Sequence, residues 1–235
     1  MTIHNTIKRA FVAMSVAAAA LMAAGSAQAA LLNGGFETGD FTDWTTSGTT
    51  SVVGIDTSGS PTASTVSPVE GNYQAKLVTE GTSAGNLAAF LGVDLASLEG
   101  LASGTTTDGS AIKQTVNAKA GQTLKFSYYF NGNDYLGFDD YGFFTVGNGA
   151  NLLSSIALVG DYNDSGYKDV EYTFLADGLY TLGFGVANTN DTQLDSILYI
   201  DGVAVVPEPA AVAGLLAIGA LGAGAIKRKR RANLA

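Results

Sequence analysis

The chain has no cysteine among its 235 residues and a single histidine, His4. Without thiols there is no disulfide, no thiolate nucleophile and no cysteine-ligated zinc site. With only His4, near the start, Ser-His-Asp and Cys-His catalysis are excluded from the rest of the chain, as are the usual histidine-based zinc centres. Proline is sparse, at four, and tryptophan occurs once, as Trp44. Arginine is missing between Ala30 and Val205, where five lysines stand against 20 aspartates and glutamates, a formal charge of −15. Such a body repels nucleic acid. It attracts cations where its carboxylates converge, and oxygen-ligated Ca²⁺ above all. The enzyme chemistry that remains is carboxylate-based or uses metals held by oxygen.

The two ends are basic and apolar instead. Lys8 and Arg9 precede an apolar run from Phe11 to Ala24, and Ala27-Gln28-Ala29 is a small-x-small site. That order is the pattern of a secretory signal peptide over residues 1–29, cleaved between Ala29 and Ala30. At the other end, Val206-Pro207-Glu208-Pro209 leads into 17 uncharged residues, Ala210 to Ile226. As a helix this run is about 25 Å long, the short limit for a membrane span. The basic cluster Lys227-Arg228-Lys229-Arg230-Arg231 holds its far end in the cytoplasm by the positive-inside rule. Pro207 and Pro209 keep Glu208 extended at the membrane edge. A cleaved leader places the acidic body, residues 30–205, on the opposite side from that cluster.

This tail, residues 206–231, resembles the PEP-CTERM sorting signal of Gram-negative bacteria: a Pro-Glu-Pro motif, a short apolar helix, then an arginine-rich end. The resemblance implies processing near Val206–Pro209 by an exosortase, a membrane-embedded transpeptidase-like enzyme. It also implies a transient stay in the inner membrane and a final place at the cell surface or in the extracellular matrix. Proteins of this class are linked to exopolysaccharide and biofilm.

The acidic body alternates apolar and polar residues in short runs between Gly/Asn/Asp clusters, the pattern of an all-β sandwich. Leu124, Phe126, Tyr128 and Phe130 share one face of a strand over Thr123–Phe130. Val170, Tyr172 and Phe174 do so over Asp169–Phe174. Tyr180, Leu182, Phe184 and Val186 do so over Tyr180–Val186, where Gly183 and Gly185 leave the other face bare. Further strands are expected over Ser51–Ile55, Tyr73–Val78, Ala111–Val116, Gly142–Val146, Ser154–Val159 and Ile197–Val205. One stretch, Asn86 to Gly100, reads as one or two helical turns, with Asp94 as N-cap and Gly100 as stop. It is expected to cross between strands or cover an open end.

The opening of the body, Asn33-Gly34-Gly35-Phe36-Glu37-Thr38-Gly39 followed by Trp44, resembles that of galactose-binding-like, carbohydrate-binding-module-like jelly rolls. So does its close, Ile200-Asp201-Gly202-Val203. The resemblance implies a jelly-roll-like sandwich whose first and last strands meet, with Glu37, Asp201 and Asp40 as ligands of a structural Ca²⁺. Gly202 stands where many relatives carry a second acid.

Other candidates come from the residues themselves. Asp161-Tyr162-Asn163-Asp164-Ser165-Gly166 matches the first half of an EF-hand loop, but position twelve is Tyr172 instead of Glu, so a hairpin turn is the simpler reading. Asn131 to Tyr141 is an acidic, aromatic loop fit for a cation, a sugar or plain packing. Sugar binding needs aromatic platforms edged by polar groups, and the candidates are Trp44, Tyr129, Tyr135 and Tyr141. Tyr129, opposite Phe126, Tyr128 and Phe130, is expected to be exposed. Carboxylate hydrolysis needs a pair with one raised pKa; Asp139 and Asp140 face opposite ways as neighbours, and the sequence names no catalytic residue. The expectation is a secreted, non-enzymatic surface or matrix protein associated with exopolysaccharide. The alternatives are a carbohydrate-binding module with a defined glycan and, more distantly, a carboxylate hydrolase.

Overall fold

The computed structural model of the chain describes residues 31–57 and 65–207. The expected signal peptide with its Ala29/Ala30 site, Glu208 and Pro209, the apolar run and the basic cluster lie outside the described residues. Among those described, no helix is long and apolar enough to cross a membrane.

In chain order the elements are β1 (Thr45–Ser47), β2 (Thr50–Val53), β3 (Gln74–Val78), β4 (Thr82–Ser83), α1 (Ala84–Leu91), α2 (Leu95–Glu99) and β5 (Thr106–Ala118). Then come β6 (Thr123–Asn131), β7 (Tyr141–Val146), β8 (Gly149–Ser155), α3 (Ile156–Val159), β9 (Asp164–Thr173), β10 (Gly178–Thr189) and β11 (Ile197–Val206). They form two antiparallel sheets. One runs β1-β5-β10-β7-β8, with β4 also against β5, and the other runs β2-β3-β11-β6-β9. Consecutive strands repeatedly fall in different sheets, so the architecture is the expected jelly-roll-like sandwich.

The alternation seen in the sequence fills the space between the sheets. Leu124, Phe126, Tyr128 and Phe130 from β6 meet Leu182, Phe184 and Val186 from β10. Phe126 sits edge-on to Phe184 and Phe144, with centroids 4.8 and 5.3 Å apart. Each such ring contributes on the order of 1.5–3 kcal/mol through burial.

The outer face of the first sheet is not bare. Leu87, Ala88 and Leu91 of α1 and Leu98 of α2 pack there against Ala111, Tyr141, Phe143 and Ala187. Gly183 and Gly185 make the room. A Cβ on Gly183 would lie 2.4 Å from Leu91 Cδ2, and one on Gly185 would lie 2.4 Å from the Phe143 ring. The helical insertion therefore covers a sheet face, and does not cap an open end. Asp94 occupies the N-cap position of α2, but its side chain makes no capping hydrogen bond.

The expected strand over Ser154–Val159 is also corrected. β8 stops at Ser155, and Ile156–Val159 turns into α3. The reason is tertiary: the amides of Ile156 and Ala157 donate to Asp140 O at 3.0 Å and Asp139 Oδ1 at 2.7 Å, which draws the chain out of the ladder.

Candidate functional site

The opening motif closes the sandwich. Phe36 is fully buried, and Gly34 O accepts Val203 N at 3.0 Å. A Cβ on Gly34 would lie 1.9 Å from Val203 O, so only glycine fits against the last strand here. Asn33 ties the loop by donating from Nδ2 to the carbonyls of Asp40 and Thr42, both at 3.0 Å. Trp44 lies between Phe36 and Phe184, and its Nε1 donates to Asn33 O at 3.0 Å.

Glu37 and Asp201 grip the turn at residues 69–73 from two sides. Glu37 accepts the amides of Asn72, at 2.9 and 3.0 Å, and Tyr73, at 3.0 Å, and these hold its carboxyl below the ordinary range. Asp201 Oδ2 accepts Val69 N at 2.8 Å and Glu70 N at 3.1 Å, while Oδ1 accepts Gly202 N at 2.7 Å. Burial raises the Asp201 carboxyl, against the pull of those amides. Asp40 is separate: Thr42 and Thr38 hydrogen-bond it and hold its carboxyl low within its own turn. All four oxygens of Glu37 and Asp201 thus serve backbone amides. Among the described residues, no three acidic side chains converge on a metal-sized point. Asp161 and Asp164 likewise serve the backbone, accepting Leu136 N at 2.7 Å and Gly166 N at 2.9 Å.

The aromatic candidates separate by burial. Trp44 and Tyr129 are each 7 % exposed and Tyr141 is 1 % exposed, so none offers a ring face to a ligand. Tyr129 is on the outer face of its sheet as expected, but it is covered. Val66 packs there with Tyr199, and Tyr167 and Tyr199 meet Tyr129 edge-on at 5.5 and 6.0 Å. The Val66 segment is held there by a bridge to Asp56 that the sequence does not announce. Tyr141 donates to or accepts from Thr106 Oγ1 at 2.8 Å, and burial pushes its hydroxyl up to about 12. Tyr135 is 39 % exposed.

Tyr135 stands on the β6–β7 loop, residues 132–140. Its ring lies 5.1 Å from Phe138 and 6.0 Å from Tyr162. Two adjoining depressions lie beside this loop and share Ser103, Asp139 and Ala157. One, of ≈ 280 Å³, is walled by Leu136, Gly137 and Asn190; the other, of ≈ 330 Å³, extends past Leu101, Leu152 and Leu158. Asp139 is the keystone, accepting Ser103 N at 3.0 Å and Ala157 N at 2.7 Å. Asn190 donates from Nδ2 to Gly137 O at 2.9 Å and accepts Thr105 N at 3.0 Å. The cleft thus combines apolar walls with amide, carboxylate and hydroxyl groups, and Tyr135 precedes its wall residue Leu136 in the chain. Sequence reasoning marked the loop and its acids, but it missed Ser103, Asn190 and Leu158, which lie far away along the chain and carry no local signal.

No protein-family model matches this chain, and no curated protein matches it. Its structural neighbours include carbohydrate-binding modules of β-sandwich fold. The module TmCBM61, solved with β-1,4-galactotriose, is 16 % identical with a TM-score of 0.42, over 76 % of this chain and 97 % of that one. A carbohydrate-binding module described as promiscuous in specificity within the β-sandwich superfamily is 14 % identical with a TM-score of 0.37, over 73 % and 60 %. The K3 cleaved adhesin domain of Lys-gingipain from Porphyromonas gingivalis is 10 % identical with a TM-score of 0.41, over 76 % and 99 %.

Proposed function

We propose that this sandwich is a non-catalytic carbohydrate-binding domain, displayed outside the cell by a protein of the PEP-CTERM class. The observation that carries the reading is Tyr135, an exposed ring packed on Phe138 and Tyr162 and next in the chain to Leu136, which walls the Asp139–Asn190 cleft. Sugars present apolar C–H faces that stack on such rings and hydroxyls that bond to polar groups at the rim. Asp139 supports binding more than catalysis, because both its oxygens already hold backbone amides.

Delivery follows from the sequence of the ends. The signal peptide exports the acidic body, the apolar run holds it briefly in the inner membrane, and exosortase acts near Val206–Pro209. The glycan class is then a polysaccharide of the surface or matrix, such as the exopolysaccharide of a biofilm. A Ca²⁺ at Glu37 and Asp201 would share oxygens that already bond the 69–73 turn.

Affinity electrophoresis of the full chain through gels containing galactan, xylan or host exopolysaccharide tests the binding. Retardation on at least one glycan is expected, weakened at least tenfold in Tyr135→Ala and unchanged in Glu171→Gln on the far sheet. No retardation on any of them, or equal retardation in Tyr135→Ala, overturns the reading. Mass spectrometry of the protein from its native host tests the delivery, and a mature chain still ending in Asn233-Leu234-Ala235 overturns processing.

A further inference from the structure

Directly beneath the β6–β7 loop, the apolar core gives way to a polar layer between the sheets. Inward positions that are apolar further along each strand become Thr79, Ser110, Asp140, Asn188 and Ser196, all buried. Asp134, 1 % exposed, closes the layer from the loop side. Most of these groups are paired. Ser196 Oγ donates to Asp140 Oδ2 at 2.7 Å and accepts Asn133 N at 3.2 Å. Thr189 N donates to Asp140 Oδ1 at 3.1 Å, Asn188 Nδ2 donates to Asp108 Oδ1 at 3.1 Å, and Tyr135 N donates to Asp134 Oδ1 at 2.8 Å.

Two atoms here are fully buried with no partner, Asp134 Oδ2 and Asn188 Oδ1. Both are acceptors. Asn131 and Thr145 also have unpartnered atoms, but Asn131 alternates with inward-facing Phe130 and so points to the other side of β6. A buried acceptor without a donor is strongly unfavourable, and a buried carboxylate without a counter-charge more so. Asp134 and Asp140 also repel each other, and Asp191 repels both. Burial pushes the Asp140 carboxyl up to about 8.

Among the described residues, no basic side chain is available to this layer. The body has five lysines, no arginine and, after His4, no histidine. Lys76 pairs with Asp56, Lys119 with Asp177 and Lys125 with Glu171. Lys113 donates to Phe90 O over the Phe90 ring, and Lys168 is exposed on β9. A cation from outside the described residues would serve both orphaned acceptors. A donor set made only of carboxylate, amide and hydroxyl oxygens, irregularly arranged, suits a hard cation that tolerates flexible geometry.

We propose that this polar layer binds one Ca²⁺ through side-chain oxygens of Asp134, Asp140 and Asn188, with water completing the shell. The cation would tie the loop bearing Tyr135 to the ends of β7, β10 and β11. The proposal stands on the orphaned oxygens and does not depend on the glycan reading.

The test uses the full chain in mild detergent, stripped with a chelator and then titrated with Ca²⁺. At a hundredfold excess over Kd, the melting temperature is expected to rise by about 5–10 °C. Asp134→Asn is expected to weaken Ca²⁺ at least tenfold while keeping the near-ultraviolet circular dichroism of the native fold, and Glu37→Gln is expected to keep full affinity. Tb³⁺ supplies a second readout on the unmutated chain: tyrosine-sensitised emission that Ca²⁺ competes away. Identical melts in chelator and Ca²⁺ overturn the proposal, as do unchanged Ca²⁺ affinity in Asp134→Asn, loss of the shift in Glu37→Gln, or absence of Tb³⁺ emission.

Discussion

Two acidic regions lie at the two ends of β3, and they are built in opposite ways. At its start, Glu37 and Asp201 place every carboxylate oxygen on a backbone amide of the 69–73 turn or of Gly202. Beyond its end, at Thr79, the layer around Asp140 buries two acceptors with nothing to receive, Asp134 Oδ2 and Asn188 Oδ1. The first region is complete as protein and works as a clasp. The second leaves two buried acceptors without donors, which the proposed cation would fill. Carboxylates alone therefore do not mark a cation site; what distinguishes the two is whether the chain has already supplied their donors.

Mutations can break that contrast, and they differ in size and sign. Asp201→Ala should have the largest effect. It orphans three amides at a buried position and should cost about 3–5 kcal/mol in urea unfolding, with or without Ca²⁺. Gly183→Ala should come next, at about 1–3 kcal/mol, because its Cβ would press Leu91 off the sheet; it should also loosen α1 in hydrogen exchange. Asp134→Asn should reverse the sign. In chelator it removes a carboxyl whose ionised form is disfavoured by burial and by Asp191, and should stabilise by roughly 0.5–1.5 kcal/mol, whereas in Ca²⁺ it should be the less stable protein. A loss of stability in chelator as large as that of Asp201→Ala would erase the contrast. Glu37→Ala removes the exposed half of the clasp and should lower the melting temperature less than Asp201→Ala does. Glu171→Gln breaks an exposed pair with Lys125 and should change stability by no more than about 0.5 kcal/mol, serving as the baseline.

Much of the fold was legible because strand alternation is local. Leu124 through Phe130 and Tyr180 through Val186 face the core as their period-2 pattern requires. The clasp was partly legible as a motif: Asn33 to Trp44 and Ile200 to Val203 are short segments whose residues contact each other or the last strand. The sequence left three points open. Tyr129 is on the outer face as read, but the Val66 segment covers it. Gly183 and Gly185 look bare in sequence, yet they are where α1 and Phe143 come closest. Ile156 to Val159 has the composition of a strand and becomes α3 because Asp139 and Asp140 take its first amides.

By itself, the sequence determined the two-sheet architecture and the acidic character of the body, with five lysines against 20 acids. These follow from periodicity and composition, which are properties of the chain wherever it folds. Only the tertiary structure decided which acids are clasped by amides and which are buried without partners. It also decided that, of four aromatic candidates, Tyr135 alone reaches the surface. Both outcomes depend on segments as far apart as Asp134 and Asn188 being packed within one layer, and burial and hydrogen-bond satisfaction exist only once that packing is complete.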